Sequence, residues 1–145
     1  MVRVWVDSEL DPFTTPWRSA IINRIVDADT FDVRINVGFG VNGPEVRVRL
    51  LREAAFTTPQ DLSDDGVDAW ETKGVEKVQG LAAKARVESL LRSGDEVRIF
   101  SQRGGKVDGM RRWLSVVMVN LTPGGWASLG DLLIDEGHAT VWTRS

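Results

Sequence analysis

The stretch Ser19-Ala20-Ile21-Ile22-Asn23-Arg24-Ile25-Val26-Asp27-Ala28-Asp29-Thr30-Phe31-Asp32-Val33-Arg34-Ile35-Asn36 decides how the chain is read. Its first part is rich in β-branched residues, which fit a pleated, half-buried surface. Asp27-Ala28-Asp29 then interrupts with turn-forming side chains, and from Thr30 onward apolar and polar residues alternate with the two-residue period of a strand. A hairpin is predicted. Forward of it, Gly38, Gly40, Asn42, Gly43 and Pro44 mark a loop, and Val46, Val48 and Leu50 alternate with Arg47, Arg49 and Leu51 in a third strand. Behind it, Pro12 and Pro16 set off a short strand in which Val2, Val4 and Val6 alternate with Arg3, Trp5 and Asp7, giving it one buried face.

Residues 54–71 show no sustained period and are rich in Thr, Asp, Gly and Ser, so a long loop is predicted there. From Thr72 the pattern becomes helical, with Val75, Val78, Leu81, Ala82, Ala85, Leu90 and Leu91 as the apolar stripe and Gly94 as the terminator. Val97 and Ile99 mark a fourth strand, Gly104-Gly105 a turn, and Trp113 heads a fifth, apolar strand that packs in the barrel. After Pro123-Gly124-Gly125, a short helix starting at Ser128 buries Leu129, Leu132 and Leu133 and stops at Gly137. The order is that of a β-rich α+β domain. It fits a five-stranded OB-fold Greek-key barrel with a helix between strands 3 and 4, a short C-terminal helix and an extra N-terminal strand. Residues 1–18 read as an N-terminal extension and residues 19–145 as the barrel domain.

A chain of 145 residues can bury a core without staples, and the absence of cysteine removes disulfides and thiolate metal sites from consideration. The formal net charge is −3, and the pI of about 5.2 speaks against broad binding to nucleic acid, which rests on Lys and Arg neutralising phosphates. The charge is unevenly placed. Asp61, Asp64, Asp65, Asp68 and Glu71 crowd together, whereas Arg47, Arg49 and Arg52 share one strand region and Arg103, Lys106, Arg111 and Arg112 another. A local basic site is compatible with an acidic whole. Arg3, Asp7 and Glu9 interrupt the first ten residues and no apolar run approaches a membrane span, so a soluble, cytoplasmic protein without a secretion signal or membrane partner is expected.

Five segments resemble the staphylococcal nuclease (thermonuclease) family in the family's own order. Val26-Asp27-Ala28-Asp29-Thr30 is similar to its Asp-Gly-Asp-Thr turn, and Val48-Arg49-Leu50-Leu51 to the strand presenting its first arginine. Lys73-Gly74-Val75-Glu76-Lys77 resembles the opening of its helix, and Asp108-Gly109-Met110-Arg111-Arg112-Trp113-Leu114 the segment carrying its second arginine. Leu133-Ile134-Asp135-Glu136-Gly137-His138-Ala139 is similar to its closing helix, and Gly38-Phe39-Gly40 to members from bacteriophages.

In that family a calcium ion and two arginines hold the scissile phosphate while a glutamate activates water. Guanidinium forks match phosphate oxygens, and calcium takes hard oxygen ligands. The resemblance implies phosphate-binding roles for Arg49 and Arg112, a metal-ligating role for Asp29 and an outer role for Asp27; Arg47 and Arg111, the latter standing where the family has glycine, are neighbouring charges available for binding. It also exposes a departure. Counted without a gap from Arg49, the family's metal aspartate falls on Ala54 and its glutamate on Thr57; with three residues inserted, these positions become Thr57 and Gln60. Both carboxylates are absent in either register. An amide or hydroxyl does not take a proton at neutral pH, and the general-base contribution so lost is typically about 10²- to 10⁴-fold in rate.

Plainer roles stand beside these. Asp29 is also a turn residue that caps its own backbone, and Arg49 and Arg112 are also charges on a solvated face. Glu53, four positions beyond Arg49, is the best displaced base; Glu71, Glu76 and the lone His138 are simpler as surface or packed residues. Trp5, Trp17, Trp70, Trp126 and Trp142 lie in termini and loops, where aromatics anchor interfaces or stack on bases. The functional expectation is a nuclease-fold module, weakly active or inactive in phosphodiester hydrolysis, that binds nucleic acid or a protein. The alternatives are an active calcium-dependent nuclease with a displaced carboxylate, and a structural component of a phage assembly, as an oligomer or part of a larger particle.

Overall fold

The hairpin forms around the tightest turn its sequence allows. In the computed structural model, which describes residues 2–38, 41–57, 66–69, 74–101 and 112–142, Asp27 pairs with Thr30 across Ala28-Asp29. The described elements are, in chain order, β1 (Trp5–Val6), β2 (Arg18–Asp27), β3 (Thr30–Asn36), β4 (Asn42–Leu50), α1 (Ala54–Thr57), β5 (Gly66–Ala69), α2 (Lys77–Leu90), β6 (Glu96–Phe100), β7 (Trp113–Thr122), β8 (Gly125–Ser128), α3 (Leu129–Asp135) and β9 (Ala139–Trp142). No described helix is long and apolar enough to cross a membrane.

Five strands close into a barrel in the order β2-β3-β4-β7-β6 and back to β2. All neighbours are antiparallel except β4 and β7, which run parallel through Val48↔Trp113 and Leu50↔Ser115. Closure needs bent strands, and register shifts between Ile22 and Arg24 and between Ile25 and Asp27 supply the bends in β2. The first half of β2 pairs with β6, and nearly all of the strand pairs with β3.

Alternation fills the barrel. Ile22, Phe31, Val33, Val48, Leu50, Val97, Val117 and Val119 point into one core, which Ala83 and Val87 of α2 and Leu129 and Leu133 of α3 complete. The predicted stripe of α2 is buried only at its end, where Leu90 and Leu91 pack against the core. Gly80, Ala83 and Val87 face the core, whereas Val78 is 81% exposed and Leu81 is exposed too. Gly94 does follow the helix with a positive φ of 95°, and its amide donates to the Ile22 carbonyl at 2.7 Å.

A second core lies on the other side of β7. Leu114, Val116 and Met118 pack there against Trp5, Leu10, Trp17, Leu51 and Trp126, with Phe56 and Phe100 at its margin. Trp17 and Phe56 approach to 4.9 Å between ring centres. Residues 5–17 are therefore packed onto the barrel, and full burial of a side chain such as Leu10 is worth about 1.5–3 kcal/mol. Three expectations change here. The buried residue of the N-terminal strand is Trp5, not the valines, since Val4 and Val6 are both more than half exposed. Trp5, Trp17 and Trp126 are core residues, while Trp113, expected inside, is partly exposed. The stretch 54–71 contains a helical turn and the strand β5, which pairs antiparallel with β9 from Gly66↔Trp142 to Ala69↔Ala139.

Candidate functional site

Period two on β3 and β4 puts Phe31, Val48 and Leu50 inside and sends Thr30, Asp32, Arg47 and Arg49 to the outer face. The register pairs Thr30 with Arg49 and Asp32 with Arg47. Arg47 and Asp32 form a two-pronged pair, with Nε donating to Oδ1 at 2.8 Å and an Nη to Oδ2 at 3.1 Å. This contact raises the Arg47 guanidinium's affinity for its proton. Its fork is thus spent within the protein.

Arg49 is buried more deeply, its side chain only 12% exposed. Its Nη2 donates to Asp68 Oδ1 at 3.2 Å and lies 3.9 Å from Asp29 Oδ2. Arg112, just ahead of β7, donates from Nη1 to Thr30 Oγ1 at 3.3 Å. Thr30 Oγ1 in turn donates to Asp29 Oδ1 at 2.9 Å, and the Ala69 amide donates to Asp29 Oδ2 at 3.0 Å. The hairpin turn, β4, β5 and the start of β7 therefore meet at one cluster. Arg49, Arg112 and Asp29 are brought together there.

Asp68 was not singled out by its sequence, being one of several acids in a polar stretch. It belongs to β5, where Val67 and Ala69 turn inward and Asp68 outward. Partial burial pushes its carboxyl above the usual range; Asp29 and Glu76 push the same way, while Arg49 and Arg112 oppose them.

Calcium would take six to eight oxygen ligands, and at this cluster Asp29 and Asp68 are already hydrogen bonded within the protein. Both oxygens of Asp29 already accept protein hydrogen bonds. A cation at Asp29 would have to displace the Ala69 amide or the Thr30 hydroxyl. Among the described residues no group of three His, Cys, Asp or Glu side chains is disposed to hold a metal ion.

The displaced-base candidate lies elsewhere. Glu53 accepts from the Trp5 indole at 3.2 Å, and its own amide donates to Asp131 Oδ2 at 2.7 Å. It lines a separate pocket with Val2, Arg3, Asp131 and Ile134. Burial raises its carboxyl's pKa, with Trp5 opposing and Asp131 assisting. In α1, Phe56 packs against Trp5, Trp17 and Phe100, a structural use of a position that the ungapped register aligns with the family's reactive loop. The His138 amide donates to Leu133 O at 2.8 Å beside Gly137, which closes α3 at φ 79°. Gln60 and Arg111 lie outside the described residues, as does the side chain of Thr57.

The chain matches no protein-family model, and no curated protein is significantly similar to it.

Proposed function

We propose that the chain is a nuclease-like OB-fold module that binds a phosphate of nucleic acid through Arg49 and Arg112 and hydrolyses it weakly or not at all. The barrel order, with the parallel contact between β4 and β7 and α2 following β4 in the chain, supports the OB reading. The observation that carries the function is the approach of two guanidinium groups to one hairpin turn: Arg49 from β4 to within 3.9 Å of Asp29, and Arg112, just ahead of β7, by a hydrogen bond to Thr30. Two guanidinium groups at adjacent residues of one turn suit the spread charge of a phosphate. Because the protein carries net negative charge, contact is confined to this patch, and a shallow salt dependence follows.

A second reading, a calcium-dependent phosphodiesterase, draws on one observation. Asp68 places a carboxylate beside Arg49 that the reactive loop itself lacks, and its raised pKa suits a proton acceptor. One experiment separates the two. Single-stranded and duplex DNA and RNA are incubated with the protein in calcium or in chelator, and binding is followed over a salt series. The module reading expects salt-sensitive binding lost in Arg49→Ala and Arg112→Ala, with negligible cleavage. Calcium-dependent cleavage lost in both variants and in Asp68→Asn would replace it with the enzyme.

A further inference from the structure

We propose that Asp68 is a built-in counter-ligand: its carboxylate holds Arg49 in place of a phosphate oxygen, and a phosphate binds by displacing it. The inference rests on the reading of Arg49 and Arg112 as a phosphate-binding pair.

The two carboxylates beside Arg49 differ in freedom. Asp29 is buried and tied on one oxygen to the Thr30 hydroxyl and on the other to the Ala69 amide. It cannot leave without breaking both bonds. Asp68 makes the closer contact with Arg49, yet its side chain is 54% exposed whereas that of Arg49 is 12% exposed. The guanidinium is thus shielded while the acid that engages it borders solvent.

The strand that carries Asp68 lets it move alone. Val67 and Ala69 are buried on the opposite face, and β5 is fixed by its register with β9, in which Asp68 stands opposite Thr140. Rotation of the Asp68 side chain about its own bonds therefore opens the Arg49 Nη2 contact to another oxygen without disturbing the strand, Asp29 staying beside the guanidinium. Asp29 and Glu76 repel the Asp68 carboxylate while Arg49 and Arg112 attract it, so it is held by the same two cations that a phosphate would engage. A phosphate offers several oxygens and can engage both arginines, whereas Asp68 is hydrogen bonded to Arg49 alone of the two in this structure.

A tethered carboxylate competes at an effective concentration on the order of millimolar, so it lowers the affinity of any phosphate that needs Arg49. It leaves the site able to respond to phosphate yet resistant to weaker anions. The ligand class is a phosphate group, whether free, terminal or within a nucleic-acid backbone.

The test titrates inorganic phosphate, a 5′-phosphorylated single-stranded oligonucleotide and its unphosphorylated counterpart into the full chain. Wild type, Asp68→Asn, Asp68→Ala and Arg49→Ala are compared by calorimetry, with circular dichroism confirming that each variant is folded. Tighter binding by about fivefold in both Asp68 variants is expected, in keeping with a partly exposed ion pair. Arg49→Ala should bind none of the probes. Arg49-dependent binding that is unchanged or weaker in the Asp68 variants would overturn the counter-ligand and leave the arginine site standing. Binding of no probe, or binding indifferent to Arg49→Ala, would overturn the arginine site and the inference with it. If inorganic phosphate and the phosphorylated oligonucleotide respond but the unphosphorylated one does not, the ligand is a terminal or free phosphate; a response from all three assigns the backbone.

Discussion

The Ala69 amide donates to Asp29 Oδ2 at 3.0 Å, joining β5 to the turn between β2 and β3. The bond is buried, and the same carboxylate accepts from Thr30 through its other oxygen. A residue that the family resemblance casts as a metal ligand thereby also acts as a fastener between two parts of the fold.

Asp29→Ala is therefore expected to destabilise the protein by about 1–3 kcal/mol, because it strands a buried amide and leaves Arg49 with one fewer carboxylate nearby. Asp29→Asn, whose amide oxygen can still accept from Ala69, should recover part of that loss. Urea unfolding midpoints check both, and an Asp29→Ala midpoint indistinguishable from wild type would show that the bond carries no stability.

Gly130 lies in the first turn of α3, where a Cβ would stand 2.7 Å from Val67 Cγ2 and 2.8 Å from the Leu51 carbonyl oxygen. The backbone contact cannot be relieved by a rotamer change. Gly130→Ala should cost about 1–3 kcal/mol through overpacking, despite alanine's better helix propensity, and should shift β5. Thermal denaturation reads the first effect. A melting temperature at or above that of wild type would contradict the packing.

Arg47 points its fork at Asp32, so Arg47→Ala should lower stability and leave phosphate binding within about twofold of wild type. The stability loss should be about 1 kcal/mol, since the arginine is nearly half exposed but the aspartate is mostly buried. Calorimetric titration of phosphate into this variant decides the matter; a loss as large as that of Arg49→Ala would make Arg47 part of the binding site.

The Arg86 guanidinium grips Glu136 with two bonds, of 2.7 and 2.9 Å, linking α2 to the end of α3. The contact lowers the Glu136 carboxyl below its usual pKa, burial opposing and the Arg86 charge and His138 assisting. A lowered folded-state pKa gives stabilisation that is present above the unfolded value and lost as pH falls through the folded one. Arg86→Ala should therefore cost less than about 1 kcal/mol at about pH 7, since both partners are partly exposed, and nothing at about pH 2. Urea unfolding at the two pH values measures this, and an equal deficit at both would exclude the ion pair as its source.

Much of the barrel is written in local alternation. The two-residue period of Thr30-Phe31-Asp32-Val33 and of Val46-Arg47-Val48-Arg49 is enough to sort inward from outward residues, which is why Arg49 is found on the outer face as its spacing predicts. The stripe on α2 escapes such reading because close packing selects small residues. Gly80 and Ala83 carry little hydrophobic signal, while the larger Val78 and Leu81 face solvent. Asp68 escapes for a different reason. Its strand is four residues long and finds its partner in β9, far along the chain, so no local pattern announces it. The tryptophans mislead because position in a terminus says nothing of what folds over it; Trp5 and Trp17 are covered by residues of β7, β8 and α1.

Burial of β7 on both faces also imposes an order of events on the growing chain. During synthesis Trp5, Leu10 and Trp17 emerge long before Leu114, Val116, Met118 and Trp126, the residues that cover them. Until β7 is made, the hairpin of β2 and β3 can form, but the barrel has no closing strand and these aromatic side chains have no roof. Translation thus leaves Trp5, Leu10 and Trp17 uncovered until β7 and Trp126 have been made, and a pause before β7 holds these apolar side chains open to a neighbour's apolar surface.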